Sequence, residues 1–275
     1  MLTGCEDGRL RVLDEQSLEL ISEMDSHEGS VRAICRVGQT FVVSAGARSQ
    51  ACLWRVGDEA GELDFICTRR FGMPKNDVRI MGVAGDQHGI DRWEFCLVDS
   101  TARVHFWLWP SNEISTIAPS EIQLSTCLSV CAHVGSFVVG SSNGFLTLLA
   151  GLASERFRES SRTLDSVRIH SNGVNAVASF HQFILSVSDD QSLVVSRVVE
   201  GRIQVFQRIQ NASVCSIRAV HVEGDSIFTT GTDRRLRQWK FEGGIVEVSI
   251  TSLEVTDPLA ICGGVVVAGR GIQRV

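Results

Sequence analysis

Three groups of side chains in this 275-residue sequence have the types and spacing of reactive constellations. His170, Ser186 and Asp190 bring a base, a hydroxyl and a carboxylate close together along the chain. A serine beside a histidine that is itself oriented by an aspartate is how an oxygen nucleophile is activated. His27, Ser44 and Trp54 repeat the first two members, with Arg48 standing where the aspartate would be. Thr229, Asp233 and Trp239 repeat the hydroxyl and the carboxylate, with Gln210 in the place of the histidine. A second chemistry belongs to arginines. Arg9, Arg48, Arg103, Arg234, Arg235 and Arg270 each fall at or beside the same kind of small-residue turn. A planar guanidinium fork there suits phosphate or carboxylate, to which it donates two hydrogen bonds.

The elements that must position these residues decide between the chemistries. Ser26 to Val56, SHEGSVRAICRVGQTFVVSAGARSQACLWRV, runs from a histidine through three short apolar runs to a tryptophan, with a small-residue turn before the third. Alternating apolar runs broken at regular intervals read as an antiparallel meander. The first strand of this unit recurs near positions 31, 78, 128, 174, 214 and 259, at spacings of 47, 50, 46, 40 and 45. A His-to-Trp meander repeating every ~40–45 residues is the mark of a WD repeat, one four-stranded blade of a β-propeller. A β-sandwich would also show frequent short strands, but not the same order of features each time. The fold expected is therefore all-β, a WD40-type β-propeller of about seven four-stranded blades, forming one domain over residues 1–275.

With the strands of a blade labelled a to d from the axis outward, Met1 to Met24 supplies only b, c and d. The last stretch, LAICGGVVVAGRGIQRV, supplies only a, b and c. The ring is expected to be incomplete at its N-terminal end, as in a fragment, or a truncated reading, of a longer protein. In a WD blade the histidine, the Ser or Thr, the aspartate and the tryptophan are hydrogen-bonded to one another and fix the b–c turn. His27, Ser44, Trp54, His170, Ser186, Asp190, Thr229, Asp233 and Trp239 are thus expected to be structural rather than a Ser-His-Asp catalytic set. There is no P-loop, no HExxH, no GxGxxG after a strand and no GxSxG elbow, the letters GSSNG at 140–144 falling in a repeat turn between two strands. No enzyme activity, cofactor or small-molecule substrate is expected.

Composition narrows the class further. Nine cysteines without a CxxC pair read as reduced thiols in a cytoplasmic protein that holds no metal. The charged start MLTGCEDGRL is unlike a signal peptide, and no apolar run approaches the ~20 residues of a membrane helix. A net charge of −6 excludes a uniformly basic nucleic-acid binder but not a local basic patch. The turn arginines are where such a patch would lie. On a closed ring all b–c turns share one face, so the arginines would form an arc there. It serves either as a solvated face or as an anion-binding arc for phosphates or acidic side chains.

The stretch SHEGSVRAICRVGQTFVVSAGARSQACLWRV, above all SVRA followed by SAGARSQ, together with SVSDDQSLVV and the abrupt ending VVVAGRGIQRV, resembles the C-terminal propeller of the WD-repeat protein 6 family. The resemblance covers most of the chain. It implies a non-catalytic subunit that partners an FtsJ-like methyltransferase and helps present tRNA for 2′-O-ribose methylation of the wobble nucleotide. Chemistry and cofactor would belong to the partner. The competing class is a general protein-interaction scaffold, a trafficking adaptor or ligase substrate receptor, with no RNA binding.

Overall fold

The computed structural model describes residues 1–58, 62–71, 78–119, 125–152, 163–255, 258–262, 265–268 and 271–274. These are organised almost wholly as antiparallel strands, with one short 3-10 turn. The chain divides into two compact units, Met1–Val130 with Gly151–Glu159, and Cys131–Ala150 with Ser160–Val275.

Among the described residues seven sheets follow one another, five of four strands and two of three. The first is β1 (Leu2–Gly4), β2 (Arg9–Leu13) and β3 (Leu20–Asp25). The second is β4 (Val31–Val37), β5 (Phe41–Gly46), β6 (Gln50–Val56) and β7 (Leu63–Arg70). The third is β8 (Ile80–Gln87), β9 (Trp93–Asp99), β10 (Val104–Trp109) and β11 (Ile114–Ile117). The fourth is β12 (Cys127–His133), β13 (Ser136–Ser141), β14 (Phe145–Ala150) and β15 (Thr163–Arg168). The fifth is β16 (Val174–Phe180), β17 (Phe183–Ser188), β18 (Leu193–Val199) and β19 (Arg202–Ile209). The sixth is β20 (Ile217–Glu223), β21 (Ser226–Gly231), β22 (Arg235–Phe241) and β23 (Ile245–Ser252), and the last is β24 (Pro258–Cys262), β25 (Val265–Ala268) and β26 (Gly271–Arg274). In each four-stranded sheet the strands pair in chain order, the succession of a propeller-like meander.

Burial follows strand position and explains the sequence pattern. The second strands β5, β9 and β17 are buried along their whole length. They read as mostly apolar and small residues, interrupted in β9 by Glu94 and Asp99, because both faces are covered. The fourth strands are far more open, and β23 exposes seven of its eight residues. In the first unit Phe95, Trp107, Leu53 and Val43 anchor a core, with Trp93 edge-on to Phe41 at 4.7 Å. In the second unit Leu185, Val195, Ile217, Ile227 and Trp239 do the same.

The repeat is also visible in its irregularities. The pairing of first and second strands slips at the residue pairs Val31/Ala33, Ile80/Gly82, Val174/Ala176, Ile217/Ala219 and Pro258/Ala260. Each is a bulge that places an Ala or Gly two residues into the strand. Bulges re-aim the chain and are built features rather than defects. The sixth sheet starts at Ile217, not near Val214 as its apolar character suggested. Val214 is 67% exposed in the preceding turn, while Ile217 and Ala219 are buried.

Candidate functional site

The turns between second and third strands carry most of the sequence's polar constellations. Two of these turns need glycine for a stated reason. Gly8 and Gly144 have φ of 88° and 86°, and a Cβ on either would run into the carbonyl of His27 or His170. The same approach ties neighbouring sheets, since the N–H of His27 donates to Gly8 O at 3.0 Å and that of His170 to Gly144 O at 3.1 Å. Backbone bonding thus delivers each histidine to its turn.

His170 is fully enclosed, at 2% exposure, between Ser186 and Asp190. Its Nδ1 lies 3.1 Å from both carboxylate oxygens of Asp190, and its Nε2 2.9 Å from Ser186 Oγ. Nδ1–H donates to the carboxylate and Nε2 accepts the serine proton, which is the polarity of a nucleophile triad. Burial pushes the imidazole below its ordinary value, and the nearby Asp190 offsets this only in part. Burial also pushes the Asp190 carboxyl up, but Ser192 Oγ, the Ser171 and Ser192 N–H groups and His170 outweigh it and hold it down at about 2. The serine oxygen, however, belongs to a residue with 0% exposure. It faces His170 and the carbonyl of Val194 rather than any opening. The set holds the turn closed.

The second sheet shows what losing the aspartate does. Ser44 Oγ accepts from Trp54 Nε1–H at 2.9 Å and meets His27 Nε2 at 2.8 Å. With Arg48 in the aspartate's place, His27 Nδ1 is buried without a hydrogen-bond partner. Burial alone lowers the His27 pKa to about 4.

In the sixth sheet Trp239 Nε1–H donates to Thr229 Oγ1 at 2.9 Å. The expected Gln210 is an exposed turn residue and does not take the histidine's place. Asp233 instead accepts from Ser213 Oγ at 3.0 Å and from Arg237 at 2.6 Å, in an ion pair where both side chains are at most 5% exposed.

Sequence reasoning missed a fourth set in the third sheet. Asp99 and His105, each 1% exposed, approach at 3.1 Å, and His105 Nδ1 meets Thr116 Oγ1 at 2.9 Å. It also missed Glu94, at 0% exposure, which accepts from the N–H of Leu152. An acid in the apolar run Trp93–Asp99 was the available signal for both.

The arginines separate into two kinds. Arg9 is held by Asp25 at 2.9 Å and by Glu23, and Arg48 by Glu28 at 2.7 Å. Arg103, Arg234 and Arg235 are exposed at their turns, and no carboxylate lies within ion-pair distance of them among the described residues. Arg9, Arg48 and Arg103 belong to the first unit and Arg234 and Arg235 to the second. Arg270 lies outside the described residues.

Among the described residues the eight cysteines are free, and burial pushes the Cys127 thiol up to about 12. No group of three or more His, Cys, Asp and Glu side chains there is placed to hold a metal ion. Among the described residues no helix is long and apolar enough to cross a membrane. Compared with models of known protein families and with curated protein sequences, the chain finds no match.

Proposed function

We propose that the protein is a WD40-type propeller of about seven blades that works as a non-catalytic scaffold in the cytoplasm. Its partner is an FtsJ-like methyltransferase, to which it presents tRNA for 2′-O-ribose methylation of the wobble nucleotide. The observation that carries this reading is how the polar residues are used. The hydroxyls, imidazoles and carboxylates of the constellations are hydrogen-bonded inside the sheets, to one another or to adjoining side chains, while Arg103, Arg234 and Arg235 remain exposed and without an acidic partner among the described residues. A buried triad serves stability, and unpaired arginines on turns serve anion recognition. The resemblance of SVRA…SAGARSQ to the WD-repeat protein 6 family supplies the choice of tRNA over other polyanions.

The test is charge reversal. In the complex with the methyltransferase, the triple variant Arg103→Glu, Arg234→Glu, Arg235→Glu is expected to bind bulk tRNA more weakly whatever its sequence. Its log–log salt slope should be shallower by about 0.9 for each phosphate that is no longer neutralised. Thermal stability should move little, since exposed substitutions usually stay within about 0.5 kcal/mol. Unaltered tRNA affinity and methylation with the enzyme still bound would remove these arginines from the RNA path. Loss of a protein partner alone would favour the general scaffold.

A further inference from the structure

We propose that Arg48 and Arg70, bridged by Glu28, form a two-guanidinium clamp for one phosphodiester of the RNA strand; this rests on the tRNA reading above. Arg70 was not among the turn arginines, because it ends the outer strand β7 rather than starting β6. The fold nonetheless brings it to the same place. Glu28 Oε2 accepts from Arg48 Nη1 at 2.7 Å, and its Oε1 accepts from Arg70 Nη2. One carboxylate therefore holds two guanidinium groups side by side, and the trio keeps a net charge of about +1. Each guanidinium carries five N–H donors and gives one of them to Glu28, so donors remain on both. Both side chains are open to solvent, at 61% and 44% exposure.

The placement is rigid. Arg48 occupies the left-handed region, φ 55° and ψ 29°, in the 3-10 turn Ala47–Ser49. That turn is fixed on three sides. Ala47 N–H donates to Ser30 O at 3.0 Å, Ser49 N–H to Val78 O at 2.8 Å, and Phe71 N–H to Ser49 O at 2.9 Å. Phe71 directly follows Arg70, which is also in register with Gln50. Gln50 Oε1 in turn accepts the N–H of Glu28 at 3.1 Å. The backbones that carry the clamp are thus bonded to this turn or to Gln50, which follows it. Exposed Arg32 lies one residue past the start of β4, two residues after Ser30, whose carbonyl accepts from Ala47. Preset guanidinium pairs suit the fork geometry of a phosphate and lose little freedom on binding it.

Fluorescence anisotropy of labelled bulk tRNA with the chain and its methyltransferase, across roughly 50 to 200 mM salt, tests the clamp. The double variant Arg48→Gln, Arg70→Gln is expected to bind about tenfold more weakly, with a slope shallower by about 0.7 to 0.9 for the one phosphate released. The double variant Arg48→Lys, Arg70→Lys keeps the charge but not the fork, so it should retain the slope and lose affinity. If the Gln variant binds as the unmodified chain does while Arg103→Gln, Arg234→Gln, Arg235→Gln is weakened, the clamp is wrong and the tRNA reading stands. If neither variant is weakened, both fall. Binding of millimolar inorganic phosphate that depends on Arg48 and Arg70 but leaves tRNA affinity unchanged at constant ionic strength would also overturn the proposal, by assigning the pair to a free anion.

Discussion

Replacing His170 by alanine should destabilise the protein by about 3 kcal/mol, read as a shift in the urea midpoint at pH 7. The imidazole fills a closed space and bonds through both ring nitrogens, Nε2 to Ser186 and Nδ1 to the Asp190 carboxylate with Ser192 beside it. Its removal leaves a cavity and strands the Ser186 hydroxyl, which retains only a long 3.5 Å approach to the carbonyl of Val194. Asp190 fares better, because the N–H groups of Ser171 and Ser192 still reach it at 2.9 and 3.0 Å. Ser186→Ala should cost about 1 kcal/mol by the same reasoning, since one hydrogen bond is removed with little volume. A triad kept for chemistry would show the opposite pattern, with activity abolished and stability nearly untouched. Midpoints of both variants within about 0.5 kcal/mol of the unmodified chain would contradict the structural assignment.

Stability should also fall as the pH drops from about 6.5 to about 4, before the carboxylates titrate. The reason is buried imidazole. Desolvation lowers His27 to about 4 and also lowers His133, His170 and His221. In the unfolded chain these groups take up protons near 6.5, while in the folded chain they stay neutral. Proton uptake below 6.5 therefore favours unfolding, and the stability present above that pH is lost on the way down. His27 alone contributes on the order of 2 kcal/mol across this window once its partial exposure is allowed for. A second loss follows below about pH 4, where Asp190, held at about 2, and Asp7, Asp14, Glu28, Asp99 and Asp233 have depressed folded-state pKa values. A urea midpoint unchanged between pH 7 and pH 5 would contradict the burial of these histidines in neutral form.

The meander was legible because its causes are local. Wholly buried second strands read as mainly apolar runs with few polar residues, and the turn residues between them recur at a near-constant interval. The error of three residues at the sixth sheet came from reading hydrophobicity alone at Val214. The Ala or Gly two positions into the strand, as in Val31-Arg32-Ala33 and Val174-Asn175-Ala176, marks the bulge and would have placed the start at Ile217. The constellations with a histidine before the first strand were legible for the same reason. What escaped were substitutes that reach the site from elsewhere. Arg237 and Ser213 occupy the space around Asp233 that Gln210 was expected to supply, and Arg70 joins Arg48 from the outer strand. Such pairings depend on strand register, which a single sequence states only weakly.

Two buried hydroxyls show where the pattern is imperfect. Ser196 stands in the tryptophan's position of the fifth sheet, and neither its Oγ nor Thr230 Oγ1 has a hydrogen-bond partner. Buried groups of this kind weaken a core. Ser196 lies on β18, and Thr230 on β21 directly after Thr229.

A division of labour, in which this chain holds tRNA and a partner performs the methyl transfer, is tested most directly in material isolated from cells under low salt. The RNA that accompanies the protein is sequenced, and the co-eluting proteins are identified by mass spectrometry. A restricted set of tRNAs is expected, released as salt is raised, together with an FtsJ-like methyltransferase in near-stoichiometric amount. Recovery of a trafficking coat or a ligase core, with no tRNA above background, would contradict it.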